Sequence, residues 1–371
     1  MQNNHLTYFK VENFKKFESL EIKDIGQFNL IVGDNNVGKT CLLEALLFDE
    51  NNLKWIHNLH QTLYVRGIDL TAHFVNDTYA DFPKNSFFNY LVQDNKKPLI
   101  VEFFKKDNIK ESLSISYVNR NDLKEKDFEK RKDKFEFKHI EHWLKFHKND
   151  LFDELQFMFL DNIDLTDFYI PFIQFNLSYS NDIDDFINIL DAKREENEKK
   201  INSFTFNHKI ELIKILNEIF GFDIIDYTTV YNDDFGMIGI ATKSNEKYVA
   251  ITQFGDGFNK IFRYIVEIMY INERGERRIM IDEVDTGIHY SKLENFWTNI
   301  LKVCLKLNVQ IFATTHSKEC IEAYIKAAEN IKLEKEVRMI HLQEYNEKVY
   351  SSTYNFDNIK SGLYSNSNLR G

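Results

Sequence analysis

The chain has 371 residues and a formal net charge of −11, with 47 Lys and Arg against 58 Asp and Glu. This balance excludes a nucleic-acid binder whose whole surface is basic, although it leaves room for a local basic groove. Hydrophobic residues make up 43% of the chain and aromatic residues 15%, which argues against intrinsic disorder, and the length favours two structural units.

The N-terminal residues predict two strands, Leu6–Val11 and Phe17–Ile22, joined by a polar turn. A third apolar run, Phe28–Val32, enters the sequence Gly33–Thr40, which fits G-x-x-x-x-G-K-[ST] in full. A helix is predicted directly after it, because four leucines there share one side: Leu42, Leu43, Leu46 and Leu47. Strand, glycine-bounded loop and helix follow in the order that a phosphate-binding loop requires.

This loop predicts a nucleotide site for ATP. Its glycines allow backbone N–H groups to surround an anion. Lys39 is expected to reach the β- and γ-phosphates, and the Thr40 hydroxyl to bind Mg²⁺. A chance glycine loop is the alternative, and the flanking strand and helix argue against it. The predicted nucleotide-binding residues of this segment are Gly33, Asp34, Asn35, Asn36, Val37, Gly38, Lys39, Thr40 and Cys41.

The middle of the chain differs in pattern. Leu99–Phe104 and Leu113–Val118 predict a hairpin. Residues 121–150 are densely charged but nearly neutral in sum, which is typical of a solvated helical face or a mobile loop. Amphipathic helices are predicted at Ile183–Leu190 and at Leu212–Phe220, the second with Gly221 as its C-terminal cap. We interpret residues 76–244 as an insertion between two parts of one domain, 1–75 and 245–371.

The C-terminal third again predicts alternating strands and helices. Ile279–Ile281 has the continuous apolar character of a buried parallel strand, and Ser291–Leu307 has helical spacing. Val309–Thr314 is the next strand, so a right-handed parallel crossover is expected. Two further strands are predicted at Val337–Leu342 and around Val349.

Two carboxylates end the first of these strands. Asp282 is predicted to hold Mg²⁺ at the carboxyl edge of the sheet, and Glu283 to activate a water molecule as general base. Many buried strands end in acidic residues. This pair therefore indicates a nucleotide site only in combination with Lys39 of the phosphate loop. His316 closes the next strand. A histidine there is commonly a packed or capping residue, but we favour a sensor of the γ-phosphate.

These motifs together resemble the heads of ABC-class ATPases, in particular the SMC-like and overcoming-lysogenisation-defect (OLD) ATPases of prokaryotic defence systems. The resemblance implies an α/β fold: an ABC-type ATPase head with a mixed sheet and helices, split between both chain ends, with a partly helical insertion. It also implies a head-to-head dimer with ATP held between the loop of one subunit and the signature of the other. Gly255, Asp256 and Gly257 would be that signature, and Asp285 would report across the interface.

The same resemblance has departures. Gly255 stands where a serine is usual, and no glutamine of the Q-loop type is evident after the first helix. The acidic nuclease domain of OLD proteins has no counterpart from Ser317 onward, and the three cysteines, Cys41, Cys304 and Cys320, offer neither a zinc hook nor a disulfide framework.

Three hypotheses for function follow. The first is an ATPase that dimerises, or forms a higher homo-oligomer, and acts as sensor or scaffold of a bacterial anti-phage system, controlling a separate effector such as a nuclease or toxin. The second is a DNA-repair or chromosome-maintenance ATPase that acts on DNA directly. The third is a nucleotide-dependent assembly protein without hydrolysis. Without a signal peptide or an apolar run of ~18 residues, we expect a cytoplasmic protein with no membrane association, and no tight DNA binding by the isolated chain.

Overall fold

The computed structural model describes residues 5–48, 74–75, 78–79, 91–94, 96–105, 110–119, 142–148, 152–156, 172–173, 206–232, 235–273 and 277–364. The elements up to residue 173 are β1 (Leu6–Phe14), β2 (Phe17–Ile22), β3 (Phe28–Gly33), α1 (Lys39–Ala45), β4 (Phe74–Val75), β5 (Thr78–Tyr79), β6 (Leu99–Lys105), β7 (Lys110–Asn119), β8 (His142–Lys148), β9 (Phe152–Gln156) and β10 (Phe172–Ile173). The later elements are α2 (Phe206–Phe220), β11 (Ile224–Asn232), β12 (Phe235–Thr242), β13 (Asn245–Ala250), a 3₁₀ turn (Ile251–Phe254), α3 (Asp256–Glu273), β14 (Arg278–Ile281), α4 (Tyr290–Leu307), β15 (Gln310–Thr314), α5 (Lys318–Asn330), β16 (Val337–Tyr345), β17 (Lys348–Asn355) and α6 (Phe356–Tyr364).

The chain forms two compact units. The first unit consists of Met1–Ile25, Asn35–Ile170 and Leu342–Ser352. The second unit consists of Gly26–Asp34, Pro171–His341 and Thr353–Gly371. The predicted division into a head and an insertion at 76–244 stays a prediction.

The first unit contains an antiparallel sheet in the order β2-β1-β6-β7-β8-β9. The predicted strands β1 and β2 and the predicted β6–β7 hairpin are confirmed, and β6 extends the N-terminal hairpin by pairing with β1. Apolar residues of β1 and β2 alternate into the core, where Phe9, Val11 and Leu20 are buried. The charged stretch 121–150 was expected to be a helical face or a loop, which is wrong for His142–Lys148, because this segment is strand β8.

A second sheet has the order β10-β14-β15-β3-β16-β17, and its first four strands belong to the second unit. Strands β14, β15 and β3 are parallel neighbours, and every residue of β3 and β15 is buried. The predicted crossover from β14 through α4 to β15 is confirmed, as are strands β16 and β17. Parallel order brings the carboxyl ends of β14, β15 and β3 to one edge of the sheet, where ligands of such sheets bind.

Helix α2 and the antiparallel sheet β11-β12-β13 also belong to the second unit. Helix α2 was predicted, and Gly221 follows it with φ 69°, donating its N–H to the Asn217 carbonyl, as a C-terminal cap requires. The side-chain amide of Asn295 caps the carbonyls of Glu218 and Ile219. The second predicted helix, Ile183–Leu190, lies outside the described residues.

The mixed α/β class predicted from the sequence is confirmed by these sheets and helices. Residues 76–244 contain more strand than the predicted hairpin and helices, since β8, β9, β11 and β12 all fall in this range. Among the helices of the described ranges, none combines the length and apolar character needed to cross a bilayer.

Candidate functional site

The phosphate-loop motif begins at the end of a buried strand. Strand β3 ends at Gly33, whose φ of 146° lies in the region that favours glycine, and Asp34 follows. On the neighbouring strand, the Thr315 N–H donates to the Ile31 carbonyl at 3.2 Å, which fixes the end of β3 against the end of β15. Gly33 and Asp34 belong to the second unit, while the loop from Asn35 onward belongs to the first.

The rest of the loop depends on residues with positive φ. Asn36 has φ 62° and Gly38 has φ 109°. A Cβ atom on Gly38 would lie 2.9 Å from Cε1 of Phe17, so the residue must be glycine for steric reasons as well. Lys39 is buried and begins α1, which continues through Thr40 and Cys41. Backbone of this kind forms the anion-binding nests of phosphate loops.

The turn between β1 and β2 supports this loop, a role that no pattern in the sequence indicated. The Lys15 ammonium lies 2.6 Å from Oε2 of Glu44 on α1, and this ion pair is almost completely buried. The Lys16 ammonium donates to the Asn36 carbonyl and lies 2.6 Å from Oε2 of Glu344. The signal available in the sequence was two adjacent lysines in a short turn before an aromatic residue. Sequence spacing alone did not connect them with the loop.

The two acidic residues after β14 are held by one hydroxyl group. Thr314, at the end of β15, donates its hydroxyl to Oδ1 of Asp282 at 2.6 Å. The same Oγ1 accepts the Glu283 N–H at 2.8 Å. Asp282 is only 7% exposed, and Thr314 is fully buried. The neighbouring strand therefore fixes both the carboxylate of Asp282 and the main chain of Glu283.

Glu283 occupies a strained position. Its φ of 49° is left-handed, which is uncommon for a residue other than Gly, Asn or Asp. Its carboxylate accepts a hydrogen bond from the Thr286 hydroxyl at 3.3 Å, and its side chain is half-buried. A held carboxylate with partial access to solvent has the properties expected of a general base.

Asp285 is oriented by Thr315, the residue that follows β15. The Thr315 hydroxyl donates to Oδ1 of Asp285 at 2.7 Å and accepts the Ser317 N–H at 3.0 Å. Ser317 caps helix α5 by accepting the Cys320 N–H. His316 lies between these two residues and is exposed, so it is neither packed in the core nor the cap of α5.

The predicted signature loop adjoins the acidic turn within the second unit. Gly255 follows the 3₁₀ turn with φ 86°, and Asp256 begins α3. A Cβ atom on Gly257 would lie 2.9 Å from the Gly287 carbonyl oxygen, so this approach requires glycine. Asp285 and Ser317 line a cleft of about 410 Å³ together with four other residues: Ile288, Tyr290, Leu293 and Glu319.

The second unit thus brings together Asp282, Glu283, Asp285 and Gly257, with His316 directly after the strand that holds the acidic turn. Lys39 and Thr40 lie in the first unit, on the helix that the phosphate loop enters. Throughout the described ranges, no group of three or more His, Cys, Asp and Glu side chains is arranged for a metal ion. One carboxylate and one hydroxyl are nonetheless suited to Mg²⁺, because this ion usually takes its other ligands from water and phosphate.

Comparison with known proteins agrees with these motifs. A family model described as "AAA domain, putative AbiEii toxin, Type IV TA system" matches residues 28–322. A Helicobacter pylori protein named ATP/GTP phosphatase is 22% identical over 385 residues, covering 98% of this chain and 99% of that protein.

Solved SMC heads are also similar in structure. The SMC head domain from Thermotoga maritima has a TM-score of 0.48 at 13% identity, covering 95% of this chain and 99% of that one. The Smc head domain from Pyrococcus furiosus, bound to the C-terminal domain of ScpA, has a TM-score of 0.49 at 10% identity, covering 97% and 99%. Because the family model matches well over half of the chain and includes both motifs, the chain belongs to this family of AAA-domain P-loop ATPases.

Proposed function

We propose that this ATPase hydrolyses Mg·ATP with the phosphate loop and the acidic turn acting on the same nucleotide. Lys39 would bind the β- and γ-phosphates, Thr40 and Asp282 would hold Mg²⁺, and Glu283 would accept a proton from the attacking water. The observation that carries this proposal is the Thr314 hydroxyl, which holds Asp282 Oδ1 at 2.6 Å and the Glu283 N–H at 2.8 Å. His316, exposed after the same strand, is assigned as the sensor of the γ-phosphate.

The bound Mg²⁺ would supply charge neutralisation of the β- and γ-phosphate oxygens. The residues of this chain then have separate tasks. Asp282 keeps a carboxylate at the sheet edge, and its burial against Thr314 fixes the direction of that carboxylate. Glu283 is more exposed, as a residue that meets a water molecule must be. Asp282→Asn should therefore weaken nucleotide binding, whereas Glu283→Gln should act on turnover.

We further propose that two copies of the chain enclose ATP, with the signature Gly255–Gly257 of one copy meeting the nucleotide held by the loop of the other. The accessibility of this segment supports the proposal. A Cβ atom at Gly255 or Gly287 would meet no atom of the described residues within 4 Å. Tyr290, after the acidic turn, is 70% exposed. The backbone N–H groups of Asp256 and Gly257 lie in the first turn of α3, where N–H groups lack partners within the helix.

A mixing experiment tests the enclosed site. Lys39→Ala removes the loop cation, and Gly255→Asp places a negative charge where the second copy's γ-phosphate would arrive. Each variant alone should be inactive. Equal mixtures should recover about a quarter of wild-type turnover, because half of the dimers are mixed and each mixed dimer has one intact site. Light scattering of Glu283→Gln should in parallel show a dimer or larger assembly only with Mg·ATP. No recovery on mixing, and no change of mass, would contradict the enclosed geometry.

For the biological role, we propose an ATP-dependent sensor or scaffold of a bacterial anti-phage system that acts in the cytoplasm and controls a separate effector. The support is the family description, which names a toxin of a Type IV TA system. Phage plating on cells that express the gene with its genomic neighbours should show protection, and Lys39→Ala should remove it. Equal phage plating on cells that express the wild type and on cells that express Lys39→Ala would contradict this role.

Direct action on DNA is the competing role. At a net charge of −11, duplex binding should be weak and should fall steeply with salt. Nanomolar binding by the isolated protein that persists at high salt would favour the DNA-directed role instead.

A further inference from the structure

Helix α3 carries a buried lysine that the mechanism above leaves unused. Lys260 lies one turn after Gly257 and is only 5% exposed. Its ammonium donates to the Glu283 carbonyl at 2.9 Å and to the Thr286 carbonyl at 2.7 Å. Both acceptors are main-chain atoms of the turn that follows β14. The charged Lys260 ammonium thus bonds the main chain of Glu283, the residue assigned as general base.

The next turn of α3 contacts the same segment. The Tyr264 hydroxyl, four residues after Lys260, donates to the Val284 carbonyl at 3.3 Å. Lys260 and Tyr264 share one side of the helix, since residues four apart are neighbours there. Three carbonyls in this turn, those of Glu283, Val284 and Thr286, are therefore bonded by α3.

The turn needs such support because Glu283 is left-handed. A left-handed conformation at a residue with a Cβ atom is unfavourable and persists only where surrounding contacts determine it. Thr314 accepts the Glu283 N–H, and the Glu283 carbonyl accepts both the Lys260 ammonium and, at 3.1 Å, the Thr286 N–H, so both ends of the residue's main chain are held. That backbone sets the direction in which the Glu283 side chain leaves the main chain, and the Thr286 hydroxyl, on the same turn, bonds its carboxylate.

A buried ammonium is a costly way to hold a turn. Burial lowers the pKa of Lys260 to about 8, against the opposing effect of Asp285 and Glu283. The partners of this ammonium are two main-chain carbonyls, and an apolar side chain would leave both without its hydrogen bonds. The ammonium is therefore explained by the donors that it supplies to the turn.

We propose that Lys260 is a positioning residue for ATP hydrolysis, which fixes the Glu283–Thr286 turn through two main-chain carbonyls and so aims the Glu283 carboxylate at the attacking water. The inference rests on the proposed function, in which Glu283 is the general base. Lys260 itself does not touch the nucleotide in this proposal.

The test separates turnover from binding. Lys260→Met keeps the length of the side chain but removes its donors, and we expect kcat to fall roughly 10–100-fold while KM for ATP changes less than about threefold, because misplacement of a reacting group acts on the chemical step. Lys260→Gln, which keeps an amide donor, should lose less turnover and serves if the Met variant does not fold. Lys302→Met, at an exposed position of α4, is the matched control and should keep the wild-type kcat.

A double-mutant cycle with Glu283→Gln shows whether Lys260 acts on turnover through Glu283 or independently of it. If Lys260 acts through Glu283, Lys260→Met should lower kcat no further in the Gln background. Additive losses, or a wild-type kcat in both Lys260 variants, would overturn the proposal while leaving the proposed function intact. A wild-type rate in Glu283→Gln would instead remove the assigned base, and with it the role of Lys260.

Discussion

The phosphate loop and the acidic turn are held by different kinds of interaction. From Asn35 to Thr40 the loop depends on backbone conformation, with positive φ at Asn36 and Gly38 and the Phe17 ring packed against the glycine. The turn from Asp282 to Gly287 depends on side-chain donors, the hydroxyls of β15 and the ammonium of Lys260. Changes to the loop should therefore lower nucleotide affinity, and changes to the donors that hold Glu283 should lower turnover.

Among the variants of supporting residues, the largest effect is expected from Thr314→Val. The variant keeps the shape of the side chain but loses the bond to the Asp282 carboxylate and leaves the Glu283 N–H without its acceptor. Hydrogen bonds to charged groups contribute ~1.5–3 kcal/mol, so turnover should fall about 10²-fold. Phosphate release measures this loss. Thr298→Val is the control, because its hydroxyl donates to the Glu294 carbonyl within the same helix, α4, and not to the acidic turn. Turnover within twofold of wild type would show that the turn is held without the hydroxyl.

A smaller effect concerns pH and stability. The pKa of Lys260 is lowered by burial, with a smaller contribution from Arg263, and raised by Asp285, Glu283 and Asp282, giving about 8. Because the folded pKa lies below the unfolded value, the unfolded state binds more protons above pH 8, and stability gains with pH in this window. Relative to Lys260→Met, the wild type should gain ~2 kcal/mol of unfolding free energy between pH 8 and 9.5.

Urea unfolding of the wild type and of Lys260→Met at each pH measures this difference. Subtracting the two free energies of unfolding removes the contributions of titratable groups that both proteins share. A difference that stays constant across the window would contradict a buried, charged Lys260 at neutral pH.

On the loop side, Gly38→Ala should weaken ATP binding about tenfold or more. The new Cβ atom meets the Phe17 ring, and φ 109° is unfavourable for alanine, with a strain of ~1–3 kcal/mol. Phe17→Leu in the same chain should restore only part of the affinity, because it relieves the contact but not the backbone. Gly221→Ala is the control: φ is also positive there, but a Cβ atom would meet no described atom within 4 Å. ATP affinity is measured by calorimetry. A wild-type affinity in the double variant would assign the whole effect to the contact with the Phe17 ring.

The smallest effect is expected from Lys16→Met. Lys16 is partly exposed, and such ion pairs contribute about 0–1 kcal/mol, so ATP affinity should fall only two- to threefold and the difference should shrink at high salt. Lys23→Met, on the far side of the same hairpin and more exposed, should leave affinity unchanged. A loss above tenfold would mean that Lys16 contacts the nucleotide itself.

The sequence predicted those parts of the fold whose patterns are local. Strand, loop and helix around Lys39 follow from a contiguous motif, and β14, α4 and β15 follow from apolar runs of the correct period. The strand β8 was missed because its charges outweighed the alternation of Leu144 and Phe146 with Lys145. The pairing of β1 with β6 was also missed, since partners ~90 residues apart carry no local signal.

In the candidate site, too, the features with a local sequence pattern were predicted and the contacts between distant segments were not. Asp282 and Glu283 were assigned from their position after an apolar strand, and Asp285 from the resemblance to ABC-class heads. The groups that hold them, Thr314 and Lys260, belong to segments distant in sequence, and their role depends on which atoms the fold brings within hydrogen-bond distance. A lysine on an amphipathic helix is commonly exposed, so composition gave no reason to expect a buried one.

The central claim is that Lys39 of the loop acts in binding, and Glu283 of the turn in hydrolysis, on one nucleotide. The most direct measurement is ATP affinity by calorimetry beside Mg²⁺-dependent phosphate release for wild type, Lys39→Ala and Glu283→Gln. We predict that Lys39→Ala loses detectable binding, whereas Glu283→Gln keeps affinity within about threefold and loses ~10²–10⁴-fold in turnover, the contribution of a positioned general base. Wild-type turnover in Glu283→Gln, or wild-type affinity in Lys39→Ala, would contradict this account.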